Sequence, residues 1–215
     1  MKKVMNKTKA KPIKFANPLP DNPALTNTTG LHLADGIAKQ RLHVEMVPYT
    51  CWFSNVRDHA TATQWSTIKE WCYKRAGYRC EVCDETGLHQ GRKHNVEAHE
   101  IWDYNDETLT QTLIGLIALC PACHNVKHYG RSIHIGTDKS ARMKLKEVNR
   151  WSAVEVVAHC NEAIRNWQRR SLSHWTLNMD YLKTEFNLDV QIHRVNEPLT
   201  DEELAKIKAM DDHVL

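Results

Sequence analysis

Arg79-Cys80-Glu81-Val82-Cys83 and Leu119-Cys120-Pro121-Ala122-Cys123-His124-Asn125-Val126-Lys127-His128 are the two stretches whose reading decides the fold. Each holds a Cys-x-x-Cys pair. At that spacing two thiolates in a tight turn point at one tetrahedral ion. Cys80, Cys83, Cys120 and Cys123 therefore read as one closed, structural Zn2+ site. In small zinc modules such binding contributes roughly 10–16 kcal/mol to folding.

Between the pairs lies Val96-Glu97-Ala98-His99-Glu100-Ile101-Trp102, read as a strand entering a loop. The second stretch reads as a short helix from Pro121 that Gly130 stops. His124 and His128 stand four residues apart on it and share one face. If the cysteines pin the start of this helix beside the strand, His99 approaches both. Three imidazoles leave coordination positions open, as a catalytic ion requires. The plainer reading of His128 is a solvent-facing residue near a helix end.

Composition bounds the rest. A chain of 215 residues with 41% apolar content has room for one sizeable domain or two small ones. It has no apolar run long enough for a membrane span and no apolar core behind its first lysines, so neither a membrane nor a secretory signal is expected. Seven cysteines, four of them in Cys-x-x-Cys pairs, fit reduced thiols and a cytoplasmic setting. Cys51, Cys72 and Cys160 read as buried free thiols. The net charge of +3 is smaller than the six lysines of residues 1 to 20, a stretch with no acid. The remainder is thus slightly acidic, and bulk charge makes no case for nucleic-acid binding.

Outward from the cysteine pairs, residues 1–28 read as a disordered basic arm. Residues 29–70 form an N-terminal packing segment and a helix start. Leu42, Val44 and Met46 alternate with polar residues, which predicts a short strand ending at Pro48. A helix is expected from Ala62 to Ala76, capped by Thr61 or Thr63 and stopped by Gly77. Lys74 and Arg75 in its last turn suit the helix dipole or a phosphate equally. Residues 131–215 read as a helical extension with a short strand. Residues 131 to 150 are basic, with no clear pattern. Ser152-Ala153-Val154-Glu155 is a capping box that opens a helix to about Arg170. Trp175, Leu177, Met179 and Tyr181 alternate as in a strand. Thr200 to Glu203 opens a last helix.

Residues 71 to 129 resemble an HNH endonuclease module, the ββα-metal fold. Arg75-Ala76-Gly77-Tyr78-Arg79-Cys80 and Leu119 to His128 carry the likeness, which covers about a quarter of the chain. It implies an α+β protein in which a small ββα-metal zinc module, residues 71–130, sits in a mainly helical shell. It implies a metal-dependent endonuclease that hydrolyses nucleic-acid phosphodiester bonds, with DNA ranked ahead of RNA and both open. In the family one divalent ion stabilises the scissile phosphate and the leaving oxygen while a histidine activates water. His99, His124 and His128 are the implied ligands of that second cation (Mg2+, Mn2+, Ni2+ or Zn2+). Lys74, Arg75, Arg79 and Lys127 are the implied phosphate contacts.

Two positions depart from the family. Glu100 stands where the base histidine is expected, and Gly115 where the asparagine that orients it is expected. Glu100 then acts as a base, as an extra ligand or as an outer partner of a histidine N–H. The competing expectation is a catalytically inactive module that binds nucleic acid or a protein partner. A zinc-deaminase reading fails because the glutamate is adjacent to the histidine and the proline lies inside the cysteine pair.

Overall fold

The computed structural model describes residues 41–52, 55–190 and 198–215. The expected basic arm lies outside them. The fold is α+β. α1 (Val56–His59) and α2 (Ala62–Arg75) precede an antiparallel hairpin of β1 (Glu97–Asn105) and β2 (Thr110–Leu119). α3 (Pro121–Lys127) follows at once, then α4 (Tyr129–His134), α5 (Asp138–Asn149) and α6 (Ala153–Ser171). β3 (Thr176–Asn178), α7 (Asp180–Phe186) and α8 (Asp201–Lys208) complete the order.

The hairpin is the partition between two cores. Ile101, Ile117 and Leu119 face a core with Val126 of α3, Leu145 of α5 and Ile164 of α6. Trp102, Leu113, Leu116 and Ala118 face the other, with Ile68 and Cys72 of α2 and Leu182 and Phe186 of α7. Period-two alternation therefore sends successive β1 side chains to opposite sides of the sheet. A bulge interrupts the register: Ile101 pairs with Gly115, but Trp102 pairs with Leu113. The extra residue, Ile114, re-aims the far half of the hairpin. β3 adds to β2 in parallel through Thr110 and Thr176.

Local signals set several helix ends. Thr61 and Gln64 form a capping box on α2, Ser152 and Glu155 on α6, and Thr200 and Glu203 on α8. Gly77 takes φ 57° just past α2, a left-handed stop. Pro121 opens α3 at a position where its missing N–H costs nothing.

Three expectations are corrected. Residues 41–48 form no strand but an extended strap. Its amides bond side chains instead of a neighbouring strand: Leu42 N donates to Asn149 Oδ1 (3.0 Å) and Val44 N to His159 Nε2 (2.9 Å). The helix from Pro121 ends at Lys127, not at Gly130. His128, at φ −89° and ψ 48°, breaks it, and Gly130 lies within α4. The expected strand around Trp175 to Tyr181 shrinks to β3, because Met179 caps α7 and Tyr181 is helical. The basic stretch 131–150 resolves into α4 and α5.

Candidate metal centre

The four cysteines meet. Their sulfurs all lie within 4.8 Å of one another, and Cys83 Sγ is 3.6 Å from both Cys120 Sγ and Cys123 Sγ. Sulfurs about 2.3 Å from a tetrahedral ion stand about 3.8 Å apart, so the cluster fits a metal rather than a disulfide. Hydrogen bonds from Cys123, Cys80 and Cys83 hold Cys120 well below the usual thiol range, while Cys120, Cys80 and Cys83 push Cys123 far above it.

The cysteine cluster is tied to the sheet. Arg75 Nη2 donates to Glu81 Oε2 (2.6 Å) and to the Leu116 carbonyl (2.8 Å). Glu81 Oε2 also accepts from Ala118 N (2.7 Å), and Glu81 N donates to the Ala118 carbonyl (2.9 Å). The loop onward to β1 closes tightly at Gly87, where a Cβ would stand 2.2 Å from the His94 carbonyl. Gln90 Oε1 in that loop accepts from Ala122 N at the start of α3 (3.1 Å).

This anchoring sets α3 beside β1 and brings the three histidines together. One ring nitrogen from each of His99, His124 and His128 lies within 4.8 Å of the others. His124 Nε2 and His128 Nε2 face each other at 3.0 Å. Imidazole nitrogens on one tetrahedral ion stand about 3.3 Å apart, so the set fits a shared cation. His99 is 4% exposed, and neither of its ring nitrogens has a hydrogen-bond partner. Burial, then the neighbouring His99 and His124, pushes His128 down to about 3. Burial also lowers His99, against the pull of Glu45. Both rings are thus neutral at pH 7, the form that binds a metal. The donors present can hold two ions.

Comparisons with family models, with curated proteins and with solved structures found no match. The chemistry of the site itself therefore carries its reading.

Two acids beside the histidines carry no part in the sequence reading. Glu97 Oε2 pairs with His124 Nδ1, and Glu97 Oε1 with His94 Nε2 (2.8 Å). The His124 bond holds the Glu97 carboxyl down at about 2, against burial. Glu97 is two residues before His99 on one strand, so period two alone could have flagged it. Glu45 comes from the strap, lies 3.6 Å from His99 Nε2 and pairs with Lys127 Nζ (3.2 Å). Burial raises its carboxyl, but Lys127, His99 and His43 hold it well below the usual range.

The remaining expected residues divide. Glu100 points away from the histidines, to the α1 and α2 side, where its Oε1 accepts from Val56 N (3.3 Å). The side chains of Arg75 and Lys127 are 8% and 4% exposed. Arg75 is spent on Glu81 and stacks over Trp71, and Lys127 donates to Glu45 and to His43 Nε2 (2.7 Å). Neither presents a surface to a phosphate. Lys74 and Arg79 are exposed and pair with Glu70 and Asp84. No helix among the described residues is long and apolar enough to cross a membrane.

Proposed function

We propose that this chain is a metal-dependent, HNH-type endonuclease that hydrolyses nucleic-acid phosphodiester bonds, with DNA favoured over RNA. The observation that carries the reading is the convergence of three imidazoles, two from α3 and its end and one from β1, on a hairpin–helix unit tied down by four cysteines. The cysteines hold a structural Zn2+. His99, His124 and His128 hold a second divalent cation. That cation supplies Lewis-acid stabilisation of the scissile phosphate and the leaving oxygen. Glu97 orients the His124 ring through Nδ1 and keeps Nε2 free for the ion. Exposed Lys74 and Arg79 remain as phosphate contacts at the edge of the unit.

The placement of Glu100 favours a second reading. A carboxylate turned to the opposite sheet face and bonded to Val56 N does not take the place of the family's base histidine. A module that binds nucleic acid or a protein partner without cleaving it is consistent with that loss.

Incubating metal-loaded protein with plasmid, single-stranded DNA and RNA, under Mg2+, Mn2+, Ni2+ and Zn2+, separates the two. Cleavage that disappears in His99→Ala supports the nuclease. Salt-sensitive binding without cleavage under every ion supports the binding module.

A further inference from the structure

Glu45 lies outside the hairpin–helix unit, on the strap that precedes α1. Its side chain is 9% exposed and its Oε2 stands 3.6 Å from His99 Nε2. At that length the contact is an ion-pair approach, not a hydrogen bond. Glu45 Oε1, His99 Nδ1 and His99 Nε2 are all buried without a hydrogen-bond partner. Buried polar atoms in that state are costly, and a ring with two such nitrogens needs a partner on each side. Glu45 stands on the Nε2 side.

His124 already shows how such a ring is arranged. Its Nδ1 meets Glu97, and its Nε2 meets His128 Nε2. Metal-binding imidazoles commonly give their second N–H to a carboxylate, which fixes both tautomer and ring orientation. We propose that Glu45 is the positioning residue of His99: once the ion is bound, its carboxylate closes the 3.6 Å gap and accepts the Nε2–H, so that His99 offers Nδ1 to the ion while His124 and His128 offer Nε2. The inference rests on the reading of the three histidines as a cation site.

Lys127 and His43 complete the device. Lys127 Nζ is 3.2 Å from Glu45 Oε2 and 2.7 Å from His43 Nε2, so the ammonium holds the carboxylate in register with His99. Lys127, buried on α3, thereby acts on the ion through Glu45 and His99 rather than on a phosphate.

The test uses the full chain carrying Zn2+ and isotopically labelled histidine. A long-range proton–nitrogen correlation spectrum reads which nitrogen of each ring carries the metal. The expected result is metal on His99 Nδ1 with a proton on Nε2, and metal on Nε2 of His124 and His128. Glu45→Gln is expected to weaken the histidine site by about 10–100-fold in a metal titration while the cysteine site keeps its affinity. That variant leaves Lys127 without its counter-charge, so Glu45→Gln with Lys127→Met serves if the single variant does not fold. The wild-type spectrum needs no variant. Metal on His99 Nε2, or unchanged affinity in a folded Glu45 variant, overturns the assignment and leaves the cation site standing. Binding of one ion only, at the cysteines, overturns both.

Discussion

Arg75 and Glu81 form a buried pair 2.6 Å apart that joins the end of α2 to the first cysteine pair and, through Ala118, to β2. A guanidinium here satisfies a carboxylate and the Leu116 carbonyl at once. Removing one member strands the other in a low-dielectric setting. Arg75→Ala is expected to cost about 3–5 kcal/mol in urea unfolding of the metal-loaded chain. A loss under about 1 kcal/mol would contradict the pair's structural role.

The cysteine cluster predicts a folding dependence on metal. Stripping the ion with a strong chelator at neutral pH is expected to unfold the hairpin–helix unit, and Cys120→Ser to do so without chelator. Circular dichroism and a thiol-to-metal charge-transfer band of the Co2+-substituted chain follow the two events together. A chain that stays folded with four accessible thiols would show that helix packing suffices.

Glu97 predicts a selective loss at the histidine site. Glu97→Gln is expected to lower the affinity of that site about 10–100-fold, with the cysteine site untouched. Calorimetric titration of the zinc-loaded chain with Mn2+ or Ni2+ reads this directly.

Glu100 predicts the opposite. Its carboxylate is directed at Val56 N, so Glu100→Gln is expected to leave ion affinity within about twofold and to cost about 0.5–1.5 kcal/mol of stability. An ion affinity that falls tenfold would return Glu100 to the metal centre.

His159 predicts acid sensitivity. Its Nε2 accepts from Val44 N, and burial, then Lys127, lowers it from 6.5 to about 4. The unfolded chain therefore binds the proton first, and stability falls as pH drops from about 6.5 toward 4. A tenfold change in proton affinity corresponds to about 1.4 kcal/mol, so the loss attributable to His159 is about 3.5 kcal/mol at most. His159→Gln keeps an acceptor for Val44 and is expected to flatten the pH dependence of urea unfolding over that window.

Sequence alone determined the features whose physics is local. The capping boxes at Ser152 and Thr200 place their helices because the bonding partners lie three residues away, whereas the choice between Thr61 and Thr63 as the cap of α2 was settled for Thr61 by the fold. The Cys-x-x-Cys spacing and the His124–His128 interval each foretell a cluster, because a turn of backbone sets the side-chain geometry. Tertiary structure alone decided what depends on distant partners. The strap from Arg41 to Val47 alternates like a strand, yet no strand among the described residues pairs with it, and Asn149 and His159 take its amides from more than a hundred residues away. Lys127 and Arg75 look like phosphate contacts in the chain, but buried acids from other segments claim them. Glu100 and His99 are neighbours in sequence, and the pleat sends them to opposite faces of the sheet, His99 toward His124 and His128 and Glu100 toward Val56. Glu45 comes within 3.6 Å of His99 Nε2 only in the folded chain, because no local rule links two residues on separate segments until packing brings them together.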